Sequence, residues 1–128
     1  MYENESFLSF VPYAPRFPFE VWIMPKKHQP NYETITKYEI TDLASILKTT
    51  LCKLALALNN PPYNYMLHTS PTNMNDPEIY HWHLEIIPII THTAGFEWGT
   101  GFYINPTPPE KAACYLRELE EQFDHAAP

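Results

Sequence analysis

Nine residues past the middle of the chain, Tyr80-His81-Trp82-His83-Leu84-Glu85-Ile86-Ile87-Pro88, constrain the fold more than any other stretch. Apolar side chains alternate there with two imidazoles and a carboxylate, and a period of two belongs to a half-buried β-strand. Alternate side chains point to opposite faces, which places Tyr80, Trp82, Leu84 and Ile86 together. His81, His83 and Glu85 then share the other face, each about 6.6 Å along the strand from the next. A sheet face that packs a core has no use for such a row. Three adjacent groups able to bind a metal, take up protons or attack phosphorus read as a site.

The rest of the chain supplies a sheet for this strand and helices to cover it. Ser6–Tyr13 reads as a first strand and Phe19–Met24 as a second. Pro12, Pro15 and Pro18 stiffen the connection between them, because proline removes a backbone donor and restricts its predecessor. Thr36 and Glu39 form a capping box, with Ile35 and Ile40 as the hydrophobic staple of a long helix. Ile40, Leu43, Leu47, Leu51, Leu54 and Leu58 recur at steps of three or four and predict its buried stripe. Asn59-Asn60-Pro61-Pro62 stops it.

Tyr63–Thr69 is expected as a third strand bearing His68, followed by a polar loop over Ser70–Pro77 and the histidine strand from Ile79 to Pro88. Gly95–Asn105 holds all three glycines, interleaved with Phe96, Trp98, Phe102 and Tyr103, and suits a ligand-contacting loop running into a short strand. Thr107-Pro108-Pro109-Glu110 opens a final helix with a second capping box, its weaker stripe being Ala113, Leu116, Leu119 or Glu120, and Phe123. The order predicts one α+β domain over residues 1–128, with a mainly antiparallel sheet of about five strands, one long helix and a C-terminal helix.

Composition narrows the function classes. A formal charge of −7 disfavours a broad nucleic-acid binder, which needs clustered Lys and Arg, but leaves room for one nucleotide in a pocket. Cys52 and Cys114 fall in predicted helices and form neither a disulfide framework nor a zinc-thiolate spacing. No apolar run approaches the ~18 residues that span a bilayer, and the opening Met1-Tyr2-Glu3-Asn4-Glu5 lacks the features of a secretory signal. The expectation is a cytoplasmic protein in a reducing compartment.

His68 stands thirteen residues before His81, across a loop long enough for antiparallel pairing. On neighbouring strands about 4.8 Å apart, an imidazole from each reaches a shared point. Three imidazole nitrogens and a carboxylate oxygen from His68, His81, His83 and Glu85 suit zinc or ferrous iron. An imidazole can instead attack phosphorus and carry the nucleotidyl group as a phosphoramidate. A lone strand histidine is ordinarily a satisfied, partly buried side chain, but two at i and i+2 with Glu at i+4 weaken that reading. His28, after Lys26-Lys27, fits either a solvated basic strand end or a phosphate or ribose contact. His92 and His125 carry no pattern and default to solvent. The aromatics around Gly99 serve either as core or as a sugar or base platform.

Three segments together carry a family likeness. They are Val11-Pro12-Tyr13 through Arg16-Phe17-Pro18-Phe19-Glu20 to Pro25-Lys26-Lys27-His28; His68 with His81-Trp82-His83-Leu84-Glu85-Ile86-Ile87-Pro88; and Ala94-Gly95-Phe96-Glu97-Trp98-Gly99-Thr100-Gly101-Phe102-Tyr103-Ile104-Asn105-Pro106. The chain resembles the histidine-triad superfamily, and within it the second half of the galactose-1-phosphate uridylyltransferase family. That resemblance implies a two-domain enzyme of galactose metabolism, exchanging UMP between a UDP-sugar and a hexose 1-phosphate through a uridylyl-histidine. The family's nucleophile lies on a His-Pro-His-x-Gln motif in the first half, which this chain lacks.

The resemblance assigns His68, His81 and His83 as zinc or iron ligands, with a glutamate from the first half, while Glu85 reads as a further ligand or supporting group by its place in the row. It assigns Glu97, Trp98, Gly99, Thr100, Gly101, Phe102 and Tyr103 to substrate contact across a homodimer interface, or else implies pairing with an N-terminal half; His28 joins the substrate-contact residues from its own position after the lysine pair. Phe102 and Tyr103 replace the family's usual Tyr-Glu pair. In stand-alone histidine-triad hydrolases the nucleophile matches His83, and Glu85 stands where a third histidine belongs. A carboxylate beside phosphate repels it unless protonated or metal-bound, which favours ligation at this row. A stand-alone nucleotide hydrolase or transferase using His83, and a non-catalytic metal- or nucleotide-binding module, are the alternatives.

Overall fold

The computed structural model describes residues 2–73 and 79–124, with side chains in the last helix as far as Leu119. Five strands form one sheet in the order β1-β2-β3-β5-β4: β1 Tyr2–Glu3, β2 Phe7–Phe10, β3 Val21–Pro25, β4 Tyr63–His68 and β5 His83–Pro88. Every pairing is antiparallel. Among the described residues three α-helices and one 3₁₀ turn (Tyr32–Thr34) accompany it: α1 Lys37–Ala57, α2 Gly95–Thr100 and α3 Pro109–Asp124. The α+β class, the antiparallel sheet and the long helix follow the sequence reading. The fifth strand comes from β1 and not from the glycine segment.

Helix α1 starts where its capping box predicts, Thr36 Oγ1 accepting from the Glu39 amide at 3.3 Å and Glu39 Oε2 from the Thr36 amide at 2.7 Å. Its buried positions are Ile46, Thr50, Lys53 and Leu54, while Ile40 of the expected stripe and staple is 52% exposed. The difference arises because α1 meets the sheet only after its first turn. Leu43, Leu47, Leu51 and Leu58 pack at the core's margin. Phe7, Val21, Ile23, Trp82, Leu84 and Ile86 join Ile46, Leu54 and Leu116 in that core. A buried Ser9–Thr50 hydroxyl pair at 3.0 Å bridges sheet and helix.

Strand boundaries depart from expectation for local reasons. β2 ends before Pro12, which has no amide to give a ladder. β3 starts after Phe19, whose φ of 59° takes the chain out of the extended region. β5 begins at His83 and not near Ile79, because the Trp82 amide donates to the Gln29 carbonyl at 3.0 Å instead of a strand partner. His81 therefore precedes the strand. His83 and Glu85 alone keep the predicted row on it.

The glycine segment is corrected more fully, since residues 95–100 are helical. Glu97 accepts from the Ala94 amide at 2.8 Å and so caps the turn, and Gly101 ends it in the left-handed region with φ 74°. In α3 the helix starts at Pro109, and the Lys111 and Ala112 amides donate to the Pro108 carbonyl, so the Thr107 box is not formed among the described hydrogen bonds. Ala112 and Leu116 are buried among its described side chains. His125, residues 74–78 of the expected loop, and the side chains of Glu120 and Phe123 lie outside the described residues. Among the described residues no helix is long and apolar enough to cross a membrane.

Candidate functional site

Strand parity sends Phe7, Ser9, Val21, Ile23, Leu84 and Ile86 toward the helices and leaves Trp22, His83 and Glu85 on the opposite face. Register then decides who meets whom. His68 pairs with His83, Met66 with Glu85, and Trp22 with Glu85 from the other side. The His68 and His83 rings stack with centroids 4.8 Å apart at 18°, as expected of two imidazoles on adjacent strands. The Trp22 indole stacks on His83's other face at 4.3 Å and 17°. His83 is thus held between two flat rings.

The nitrogens of these rings have distinct surroundings. His83 Nδ1 donates to the His81 carbonyl at 3.2 Å, which leaves Nε2 as its outward-acting atom. His68 Nε2 donates to Glu85 Oε2 at 2.9 Å. Glu85 Oε1 accepts from Arg16 Nη2, so both oxygens of this buried carboxylate are engaged. Burial and the Glu85 contact oppose each other at Arg16, and Glu85's hydrogen bond and charge win, raising the guanidinium's pKa. Burial lowers His83's pKa, aided by the charge of His68 and countered by the His81 carbonyl and Glu85.

His81 lies apart from the stack. Its ring approaches His28 at 5.1 Å, and it contacts the backbone of Pro25 and Lys27. Burial, then the nearby His28 charge, lowers its pKa. Among the described residues His81 Nε2 is buried without a hydrogen-bond partner. A desolvated imidazole nitrogen without a hydrogen-bond partner is the donor a zinc or ferrous ion would take, so the chemistry of the residues fits such a metal. Their arrangement is incomplete: among the described residues no group of three or more His, Cys, Asp or Glu side chains is placed to hold a metal ion.

The segment expected to touch substrate reaches this face at one end. Tyr103 packs edge-on to Phe17 at 5.3 Å and lies 5.8 Å from the Arg16 guanidinium, and Asn105 Nδ2 donates to the Pro15 carbonyl at 3.1 Å. Trp98 and Phe102 are exposed, and Glu97 is spent on the cap of α2 and on the Ile104 amide. Gly99, Thr100 and Gly101 lie on or at the end of α2 and also face solvent. A cleft of about 390 Å³ separates Trp98 from the end of β5, with Asn64, Thr91 and His92 in its wall. Arg16, Glu20 and Trp22 are site residues that the sequence did not single out. Trp22's signal was parity, which needs the β3–β5 register to be read, while Arg16 and Glu20 lie in the loop before β3, where no periodicity marks them.

The chain matches the family model described as the C-terminal domain of galactose-1-phosphate uridyl transferase over residues 1–127. It is 44% identical over 119 residues to an ADP-glucose phosphorylase of Arabidopsis thaliana, covering 91% of this chain and 34% of that protein. It is 37% identical over 131 residues to a galactose-1-phosphate uridylyltransferase of Thermotoga maritima, covering 96% and 41%. The crystal structure of the Arabidopsis phosphorylase with bound ADP-glucose superposes with a TM-score of 0.87, covering 91% of this chain and 38% of that one. A hypothetical histidine triad nucleotide-binding protein of Sulfolobus tokodaii shares the fold at 20% identity and TM-score 0.69, covering 96% and 83%. The chain spans about a third to two-fifths of the length of the two curated relatives.

Proposed function

Because this chain belongs to the galactose-1-phosphate uridyl transferase C-terminal domain family, we propose that it is the second half of a nucleotidyltransferase. The reaction moves UMP between a UDP-sugar and a hexose 1-phosphate, as in galactose metabolism. The stacked His68–His83 pair with Glu85 bonded beside it carries this reading, because it joins both strand histidines at one point of the open face. The domain contributes His68, His81 and His83 toward a zinc or iron ion and Glu97–Tyr103 with His28 toward the sugar phosphate. When bound, the metal supplies cross-linking of these strands. Glu85, with both oxygens engaged, orients His68.

The chain has no His-Pro-His-x-Gln nucleophile motif, so the phosphorus-attacking group comes from another domain or chain. Two surfaces support a partner, either a first half or a second copy. β4 ends the sheet without Lys, Arg, Asp or Glu, and Tyr65 and Leu67 on it are 65% and 42% exposed, leaving an edge that no further strand pairs among the described residues. Ile89, Ile90, Phe96, Trp98 and Phe102 form a second exposed apolar stretch, the kind that marks an interaction site. Exposed free Cys52 and Cys114 fit a reducing compartment such as the cytoplasm.

The 44% identity to a phosphorylase of ADP-glucose favours a second reading for the nucleotide, so both UDP-glucose and ADP-glucose belong in the test. The purified chain is incubated with each sugar nucleotide, radiolabelled in the α-phosphate, with and without the N-terminal region of the Thermotoga relative. Covalent label appearing only with the added region supports the proposal. Label on this chain alone, abolished by His83→Ala, overturns it in favour of a stand-alone enzyme. Absence of sugar-nucleotide binding in both arms overturns it in favour of an inert module. Metal analysis is expected to find about one zinc or iron per chain, with His81→Ala lowering metal content and melting temperature together.

A further inference from the structure

Glu20 is 1% exposed and lies outside the row of residues that chemistry would use, yet both its oxygens are engaged. Oε2 accepts the backbone amides of Arg16 and Phe17 at 2.8 and 3.2 Å, and Oε1 accepts the indole N–H of Trp22 at 2.9 Å. Trp22 covers one face of His83 and His68 the other. His68 donates to Glu85, Glu85 accepts from Arg16, and the Arg16 amide returns to Glu20. Six residues from three strands and one loop therefore close a ring of contacts around the stacked imidazoles.

A carboxylate this desolvated is tolerated only when fully hydrogen-bonded, and here every donor belongs to a group that shapes the site. We propose that Glu20 is a positioning residue acting through Trp22 on His83. It fixes the indole plane, the indole fixes the imidazole plane, and that plane keeps Nδ1–H on the His81 carbonyl. The outcome is one tautomer, with Nε2 the nitrogen offered to a metal or to phosphorus. This inference rests on the reading that His83 Nε2 is the working atom of the face.

Glu20→Gln separates the two sides of the carboxylate. The amide oxygen still accepts the loop amides of residues 16 and 17, whereas the new NH₂ meets the Trp22 indole donor to donor. The readout is the pair of ¹⁵N imidazole shifts of His83 in metal-free protein, at a pH where the ring is neutral. Wild type is expected to show the Nδ1–H tautomer alone, and Glu20→Gln a mixture of both tautomers. Trp22→Leu, which keeps the loop amides on Glu20 Oε2 but removes both the covering ring and the donor to Oε1, is expected to give the same mixture and carries the test if Glu20→Gln does not fold. A folded variant of either kind that loses stability but keeps the wild-type tautomer overturns the proposal, because Glu20 would then only brace the loop. Metal uptake by wild type is measured in parallel, so a locked tautomer without metal refutes the metal reading and leaves the positioning intact.

Discussion

Arg16 and Glu85 form a pair of unequal burial, with side-chain exposures of 42% and 3%, and that inequality predicts which partner can be removed more cheaply. Arg16→Ala leaves a buried carboxylate with His68 as its remaining hydrogen-bond donor. Breaking a fully buried pair costs about 3–5 kcal/mol; the retained His68 bond and the water admitted where the guanidinium stood reduce this to about 2–3 kcal/mol. Glu85→Gln keeps the volume and one acceptor oxygen, and the half-exposed guanidinium can turn to solvent. No charge is stranded; the amide oxygen keeps the His68 bond, and losing the Arg16 bond costs about 1 kcal/mol.

The double variant should be less destabilised than the sum of the two by about 1 kcal/mol, because both single changes break the same contact. Urea unfolding of all four proteins at about pH 7.5, with slopes compared, measures this. Glu85→Gln costing as much as Arg16→Ala, or a coupling of zero, would refute the reasoning.

Three further outcomes follow from the same geometry. Folding holds the His81 and His83 pKa values below the ordinary 6.5, chiefly by burial, so the unfolded chain binds more protons than the folded one between the lowered values and 6.5. Stability of the metal-free protein should therefore be full above that range and fall as the pH drops through it; a melting temperature unchanged between about pH 7 and 5 would contradict this. His28 and His83 beside His81, and His68 and Glu85 beside His83, are the charged or titratable neighbours that set the size of the effect, with the Pro25 and Lys27 backbone opposing it at His81. Thr36→Ala removes the side-chain half of the α1 capping box and should cost about 1 kcal/mol in chemical unfolding, with faster amide exchange confined to the first turn. Trp82→Phe deletes the indole N–H that donates to Gln29 Oε1 at 3.1 Å and shrinks a ring packed against Phe7 and Tyr32; a loss of about 1–3 kcal/mol is expected, and a neutral change would show that this buried bond contributes nothing.

Period and punctuation in the sequence determined a good deal by themselves. The alternation from Trp82 to Ile86 placed a strand with its imidazole and carboxylate on the face away from the core, since parity is a property of extended backbone alone. Thr36 and Glu39 placed the start of α1, because a capping box closes within one turn. The short span between His68 and His83 made β4 and β5 neighbours, and register brought the two rings together.

Only the tertiary structure decided what surrounds those rings. Trp82 gives its amide to Gln29, 53 residues away, and so holds His81 off the strand beside His28; nothing local announces that bond. Arg16, Glu20 and Trp22 reach the site through a loop turn at Phe19 and the β3–β5 register, both products of packing at long range. The glycine segment became helical because Glu97 found the Ala94 amide, a bond that outweighed the segment's strand-like aromatics. Side-chain chemistry and its spacing are written along the chain, but which groups share a hydrogen bond depends on which strands become neighbours.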